Sequence, residues 1–305
     1  MSNPYIMRKG VSVLNDLFDG AVVGSPPGAG QAYYAIQTTE AFYEQFLRLY
    51  QMQYMDGTFK VHTTIQAAID ATLANRGDIV YVIGEWAITT PILLNKWGTT
   101  LSGATVWDNQ TGGGNSNITS TEEGTTGSTG AVINVTKAKT CIQNLVLYFN
   151  GIGDTYGIIY SSSAPSQSVV RNVCIVKNGG TTSDKGIGIH FHTVPTRSLF
   201  ENIKITGAAN ATNTMAYGIQ GGSYSSVFRD IVVSNATVGI NLDTYGDLFQ
   251  RIIVAKTCAT GMDIYGAAAD QSMMVDCRNM GNSKGTMTNM IFSGSYSTGL
   301  TELTA

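Results

Sequence analysis

The sequence is short of charge, and this shortage excludes several classes of protein. Asp, Glu, Lys and Arg make up 13% of the 305 residues, about half the share of ~25% that is usual in globular proteins. A coiled coil would be rich in Lys and Glu, and a disordered chain would combine high charge with few apolar residues. Here 43% of the residues are hydrophobic, and 18 basic residues face 21 acidic ones. We therefore expect no nucleic-acid partner.

Long apolar runs and paired cysteines are missing too. The chain has no run of roughly 18 apolar residues, which a membrane-spanning helix would need, so we expect no membrane partner. The first residues do not have the pattern of a secretory leader, and the cysteines form no Cys-x-x-Cys pair. We therefore expect no disulfide framework and predict small, buried apolar roles for Cys141, Cys174, Cys258 and Cys277.

The hydrophobic period changes near residue 60. Residues 1–37 are predicted to form an extended arm, and residues 38–54 and 63–74 to form helices. The apolar faces of these helices are predicted to consist of Phe42, Phe46, Leu49 and Tyr50 in the first, and of Ile65, Ala68, Ile69 and Leu73 in the second. From Asp78 onward short runs with period two follow one another. We predict two parts, an N-terminal segment 1–60 and a main domain 61–305.

A weak repeat runs through the second half of the chain. The anchor apolar-x-Asn/Asp-apolar occurs six times, with its first residues 28, 30, 28, 21 and 25 positions apart. These anchors begin at Ile142, Val170, Phe200, Phe228, Phe249 and Met274. A second anchor, glycine followed by an apolar residue, keeps step with the first at Gly157, Gly188, Gly218, Gly239 and Gly261. Repeats of 20–30 residues that contain only short strands are typical of a parallel β-helix.

The third position of the first anchor predicts a tight turn. Asn and Asp adopt left-handed backbone more readily than other non-glycine residues, and stacked Asn side chains can hydrogen-bond to one another. Arg251 interrupts this column, so we expect its coil to turn differently. Arg171, Glu201 and Arg229 follow the first anchor residue in successive coils and are predicted to be cross-strand neighbours of alternating charge.

Residues 63–104, which contain the sequence TTIQAAIDATLANRGDIVYVIG, resemble the start of the pectate-lyase-like β-helix domains of bacteriophage tailspikes. The resemblance implies a right-handed parallel β-helix whose open end is capped by the IQAAIDA helix, a cap that covers core and strand edge. The chain departs from the family at Ile83-Gly84-Glu85-Trp86, where a proline-rich turn is usual. The stretch AVVGSPPGAGQAYY in the N-terminal segment is similar to phage virion proteins.

The catalytic sets of enzymes with this fold are not recognisable in the sequence. No acidic cluster at matching positions and no Asp-Asp pair occur. Asp243, Asp247 and Asp263 are the best candidates for a pair of catalytic carboxylates, and Tyr245 and Tyr265 could stack on a sugar ring. The alternative is that these acids are solvated turn and edge residues.

Other residues have open alternatives as well. His190 and His192 are predicted on one face of a strand, either as metal ligands or as polar residues that face solvent or a subunit contact. Trp86, Trp97 and Trp107 are predicted near the capped end, where they pack against the cap or a subunit interface or serve as carbohydrate platforms. No cofactor is expected.

The resemblance and the missing catalytic set together predict a non-enzymatic phage virion structural protein, made in the host cytoplasm and placed on the outside of the virion. The main hypothesis is a capsid-decorating trimer, in which residues 1–60 contact capsid or tail proteins. It rests also on the short segment after Phe292, where long tailspikes carry a further domain. The alternatives are a short tailspike or fibre that binds, or even cleaves, host surface polysaccharide, and a free polysaccharide-degrading enzyme.

Overall fold

The computed structural model describes residues 30–41, 43–51, 57–104, 116–120, 130–150, 155–161, 166–179, 186–208, 215–266, 271–283, 285–294 and 296–297. The predicted arm before residue 30 and Trp107 lie outside these residues. Two helices and 23 strands occur among them, and the strands pair with one another in parallel. The chain forms a right-handed parallel β-helix, as the sequence predicts.

Two sheets contain the strands, which are numbered in chain order across both. The first sheet has 15 strands: β1 (Ala32–Ile36), β2 (Val61–His62), β3 (Ile79–Ile88), β5 (Thr100–Gly103), β6 (Ser116–Ser120), β8 (Cys141–Phe149), β10 (Val169–Lys177), β12 (Leu199–Thr206), β14 (Val227–Ser234), β16 (Leu248–Gln250), β17 (Ile253–Val254), β19 (Ser272–Val275), β20 (Arg278–Asn279), β22 (Met290–Ser293) and β23 (Tyr296–Ser297). The second has eight: β4 (Ile92–Leu94), β7 (Gly130–Val135), β9 (Thr155–Tyr160), β11 (Ile187–Phe191), β13 (Met215–Tyr224), β15 (Ala236–Tyr245), β18 (Thr260–Gly266) and β21 (Met287–Thr288).

The first anchor of the sequence repeat forms a column in the core. Its residues are cross-strand partners on successive coils, and the column extends beyond the repeat in both directions. It runs through Tyr33, Val80, Leu101, Ile142, Val170, Phe200, Phe228, Phe249, Met274 and Phe292. Three phenyl rings in it are nearly parallel, with centroids 4.9 and 5.0 Å apart. The repeat therefore marks one residue per coil in a continuous apolar stack.

The second anchor is also in register, and its glycines have a steric cause. The apolar residue after each glycine faces its counterpart on the next coil, and all five are buried: Ile158, Ile189, Ile219, Ile240 and Met262. A Cβ atom at Gly188 would lie 2.5 Å from Cγ2 of Ile205 and 2.6 Å from the carbonyl oxygen of Gly218. Side chains of the first sheet thus fill the space that a larger residue would need.

Both predicted helices are present, but they are shorter than predicted. Helix α1 spans Tyr43–Tyr50 and buries Phe46 against the outside of the first coils. Helix α2 spans Ile65–Ala71, and the Thr64 side chain caps it by accepting from the backbone N–H of Ala67. One residue of each predicted apolar face is wrong. Leu49 of the first face and Leu73 of the second are exposed to solvent. Phe42 is outside the described residues.

Helix α2 caps the β-helix. Its Ile65, Ala68 and Ile69 belong to the main core cluster together with Tyr33 of β1. Strand β1 pairs with β2 and β3, so residues 32–36 form part of the first sheet even though they belong to the predicted N-terminal segment. The boundary between residues 60 and 61 stays a prediction.

The predicted left-handed turn is confirmed along the whole column. Positive φ angles of 51° to 57° occur at Asn144, Asn172, Asn202, Asp230, Arg251 and Asp276. The amide of Asn172 donates to Asn144 over 3.0 Å, and that of Asn202 donates to Asn172 over 2.8 Å. Arg251 corrects the expectation of a different turn: its φ is 53°, and its guanidinium donates two hydrogen bonds, of 2.6 and 2.7 Å, to the Asp230 carboxylate.

The charged column is also in register. Arg171, Glu201 and Arg229 are cross-strand neighbours on three successive coils. The Arg229 guanidinium forms an ion pair with Glu201, whereas Arg171 donates to the side-chain oxygen of Gln143 over 2.8 Å. These contacts are half-exposed and tie neighbouring coils together.

Candidate functional site on the outer face of the second sheet

Alternation along the second sheet sends one row of side chains into the core and the next row outward. Beside the buried row that starts at Ile158, the outer row contains Asn134, Ile159, His190, Gln220, Asn241 and Asp263. The next outer row contains Asp243 and its cross-strand partner Tyr265. Most of the candidate residues from the sequence therefore share one face.

Asp243 and Asp263 lie diagonally across from each other on this face. Asp263 is the cross-strand partner of Asn241, two residues before Asp243, and diagonal neighbours in a sheet are about 7–8 Å apart. Asp243 is exposed. Asp263 is half-buried and accepts a 2.7 Å hydrogen bond from the backbone N–H of Thr286. The pair is thus placed as two carboxylates on the surface of adjacent coils.

Two tyrosines form an exposed stack next to Asp243. Tyr224 and Tyr245 are cross-strand partners, and their ring centroids are 6.1 Å apart with an interplanar angle of 29°. Each is at least 40% exposed. Tyr265 is exposed on the next coil. Flat aromatic surfaces of this kind offer apolar faces with a polar tip to a ligand.

Asp247 does not join this pair, which corrects the grouping from the sequence. The chain turns at Gly246, whose φ is 67°, and Asp247 enters the core side with 2% exposure. Its carboxylate accepts hydrogen bonds from the backbone N–H of Ser226 at 2.6 Å, from the Ser223 hydroxyl at 3.1 Å and from the backbone N–H of Tyr245 at 3.2 Å. Burial raises the pKa of Asp247 to about 6, although these donors oppose the rise.

Asp247 belongs to a buried polar column that the sequence analysis missed. Each member precedes the first anchor residue by two positions and is at most 3% exposed: Asp78, Thr99, Thr140, Ser168, Ser198, Ser226, Asp247 and Ser272. The backbone N–H of Ser168 donates to the Ser198 hydroxyl, and that of Ser198 to the Ser226 hydroxyl, both over 3.1 Å. The constant offset from each anchor is the signal that was available in the sequence.

His190 and His192 lie near each other, as the sequence predicts. Their ring centroids are 6.1 Å apart. His192 is exposed, whereas the half-buried His190 stacks on Tyr156 with centroids 5.0 Å apart. Within the described part of the chain, no group of three or more His, Cys, Asp or Glu side chains is placed to hold a metal ion. The metal role of the histidines stays a prediction.

The cysteines are free thiols in the structure. Cys174, Cys258 and Cys277 are buried, as predicted. Cys141 is only partly buried when the whole residue is considered. Burial of the Cys141 thiol raises its pKa to about 11. Among the described residues, no helix is long and apolar enough to cross a bilayer.

Comparison with known proteins adds no family. No family model matches the chain, and no curated protein matches its sequence. The chain is similar to a solved pectin methylesterase mutant in complex with a hexasaccharide, at 12% identity and a TM-score of 0.49, over 79% of this chain and 87% of that one. The pectin methylesterase of Aspergillus niger matches at 12% identity and a TM-score of 0.46, over 90% and 87% of the two chains. The ORF18 protein of Geobacillus virus E2 matches at 15% identity and a TM-score of 0.34, over 76% and 56%.

These likenesses concern the fold alone. The class that the fold defines is the right-handed parallel β-helix proteins, in which parallel coils stack on a capped end.

Proposed function

We propose that the protein is a structural component of a bacteriophage virion, most specifically a capsid-decorating β-helix on the exterior of the particle. The observation that carries the proposal is the continuity of the internal columns. The apolar column joins coils from β1 to β22, and Asn side chains join three coils on the outside. Such stacking suits a stiff, durable projection, because each coil is fixed by its neighbours.

The capped end supports attachment through the N-terminal segment. Strand β1 and helix α1 pack onto the first coils, with Tyr34 stacked on Tyr81 at a centroid distance of 5.6 Å and Phe46 buried against them. The described part of the chain therefore begins, at residue 30, beside the capped end of the β-helix. We assign residues 1–60 the contact with capsid or tail proteins, and we propose that three copies of the chain associate.

Labelling of intact virions tests the location. An antibody raised against the purified protein should label the head surface of phage particles in electron micrographs. Label confined to the tail would reject decoration and favour a spike or fibre. Absence of label from purified particles, with the protein present in the infected cell, would reject a virion role altogether.

A second candidate function is a short tailspike that binds host surface polysaccharide, with or without cleavage. The exposed pair Tyr224 and Tyr245 beside Asp243 favours it. Incubation of the protein with host capsular polysaccharide or lipopolysaccharide should release reducing ends or unsaturated products if Asp243 and Asp263 act as catalytic carboxylates. In that case Asp243→Asn and Asp263→Asn would each abolish release. Asp276→Asn would not, because Asp276 is an exposed acid in the left-handed turn between β19 and β20, away from the second sheet.

A further inference from the structure

A second left-handed column lies at the turn that leads from the second sheet into the first. Each coil contributes the residue three positions before its first anchor residue. Four of these residues have φ angles of 50° to 58°: Lys139, Gln167, Arg197 and Ser225. The backbone N–H of each donates to a carbonyl of the next coil at 2.8 to 3.0 Å: Lys139 to Ser166, Gln167 to Thr196, Arg197 to Tyr224 and Ser225 to Tyr245. The side chains of this turn are therefore stacked at a fixed spacing of about 4.8 Å per coil.

Cations gather along this turn in the coils near the cap. Lys139 and Arg197 are exposed in the column itself. Lys137 and Lys96 occupy equivalent places on adjacent coils, because Val135 pairs with Leu94 and Gly98 donates to Ala138. Like charges on neighbouring coils repel each other, so this arrangement costs stability. A negatively charged ligand would remove that cost.

Exposed aromatic rings flank the cations at both ends. Trp97, in the coil nearest the cap, is 40% exposed. Tyr224 and Tyr245 stack in the coils beyond Arg197. Lys96 and Arg197 are three coils apart, which is about 14 Å along the axis. The turn thus presents a narrow row of positive charge between flat apolar surfaces.

Among the described residues of this turn, the acidic side chains are not available to cancel the charge. The carboxylates in the described residues of the turn are Asp78 and Asp247, and both are buried in the polar column. Asp78 is also paired with Arg76 over 2.6 Å. The exposed Asp243 lies two residues before Tyr245, at the end of the row away from the lysines.

We propose that this cationic edge, defined by Lys96, Trp97, Lys137, Lys139, Arg197 and Tyr224, binds an acidic polysaccharide aligned with the axis of the β-helix. Carboxylates of the polymer meet one cation per coil or every second coil, and aromatic rings stack on its sugar rings. A nucleic acid is a poorer match because duplex DNA carries one negative charge per about 1.7 Å of its axis, and four cations spread over about 14 Å neutralise only part of that charge. Binding at this edge is a property of the purified protein and does not depend on its place on a virion.

Binding of polygalacturonate oligosaccharides at low salt tests the proposal. In isothermal titration calorimetry the parent protein should bind them, and uncharged dextran oligosaccharides of equal length should not compete. The triple variant Lys137→Gln, Lys139→Asn, Arg197→Asn should bind at least about tenfold more weakly, because three charges are lost. Asn suits the left-handed backbone at positions 139 and 197, so the variant keeps its fold. Trp97→Ala, which changes no charge, should weaken binding several-fold.

A matched control separates the edge from general attraction. Arg48→Gln, Lys256→Gln and Arg278→Gln together remove the same charge from exposed positions elsewhere, and they should leave the affinity within about twofold. Equal weakening by both triple variants would overturn the proposal. So would failure of the parent protein to bind the oligosaccharide, or equal competition by a single-stranded DNA oligonucleotide.

Discussion

Asp247 is the member of the buried polar column whose ionised side chain is destabilised by burial. The other members of that column between Thr99 and Ser272 are hydroxyl residues, which bury without charge. Asp247 has three hydrogen-bond donors, yet burial still raises the pKa of its carboxyl group from 3.8 to about 6. Desolvation of the ionised form therefore outweighs the donors.

The free energy of unfolding should fall as the pH rises from about 4 to about 6. Below pH 3.8 the carboxyl group is protonated in both states. Between 3.8 and about 6 the unfolded chain ionises while the folded chain keeps its proton, so the folded state loses on the order of 3 kcal/mol over this window. Asp247→Ser, which continues the hydroxyl column, should remove this part of the pH dependence in urea unfolding. An identical pH slope in both proteins would contradict the assignment.

Phe228 occupies the centre of the stacked phenyl rings. It is 1% exposed and contacts Phe200 and Phe249 on the coils either side. Phe228→Asp should lower the free energy of unfolding by several kcal/mol, because an unpaired charge cannot be hydrated there. The exposed Phe59 supplies the control: Phe59→Asp should change the free energy by about 0.5 kcal/mol or less. Equal melting of Phe228→Asp and the parent protein would show that the column does not face the core.

At the scale of the turn, the Asn column combines two stabilising effects. Asn172 has a φ of 53°, and its amide both donates to Asn144 and accepts from Asn202. Conformation and hydrogen bonding can be separated by substitution, because glycine adopts left-handed backbone freely and alanine does not.

Asn172→Gly should lose the two ladder hydrogen bonds, at about 1 kcal/mol each, and should add a small further loss because glycine gives the unfolded chain more backbone freedom. Asn172→Ala should lose about 1 kcal/mol more, because of the left-handed backbone. Chemical denaturation of the two variants measures the difference. If alanine were tolerated as well as glycine, the conformational part of the argument would be wrong.

The sequence predicts one of the two left-handed turns and misses the other, for a physical reason. The turn at Asn144, Asn172 and Asn202 is predictable because Asn adopts left-handed backbone readily. Lys139 and Arg197 have no such preference, and their backbone is held left-handed by hydrogen bonds to the next coil. The same applies to Arg251, where the neighbouring coils impose the turn. Preference is local, whereas the stacking that overrides it is not.

The candidate site was predictable only in part. Alternation places Asp243 and Asp263 on one outer face, as the repeat implies. Asp247 is only four residues after Asp243, but the turn at Gly246 rotates the chain, so the side chain enters the polar column. Proximity in sequence fails as a guide across such a corner. The cationic edge is likewise invisible without the coil register, because its residues lie far apart along the chain.

At the scale of the whole molecule, the strands in the described part of the chain pair with strands of other coils. Neighbouring partners such as Phe200 and Phe228 are separated by a full turn of chain. Stability therefore depends on contacts between coils, and a trimer would extend this dependence to contacts between chains.

In native mass spectrometry of the purified protein, the proposed trimer should appear as a species with three times the mass of one chain. The expectation follows from the resemblance to tailspikes, and the assembly should withstand dilution to the nanomolar range if its interface is large. A truncation that begins at Gly30 keeps β1 and the cap and tests whether the preceding residues contribute. A stable monomer of the full-length chain would reject the trimer.

The fixed turn geometry makes the length of the β-helix divisible. Because Val227 and Leu248 occupy equivalent places on adjacent coils, removing residues 228 to 248 joins equivalent positions, and every later side chain keeps its inward or outward direction. The shaft would shorten by a single step of about 4.8 Å while its two ends remain the same. Evolution or design can thus change the length of the β-helix by whole coils without changing the cap.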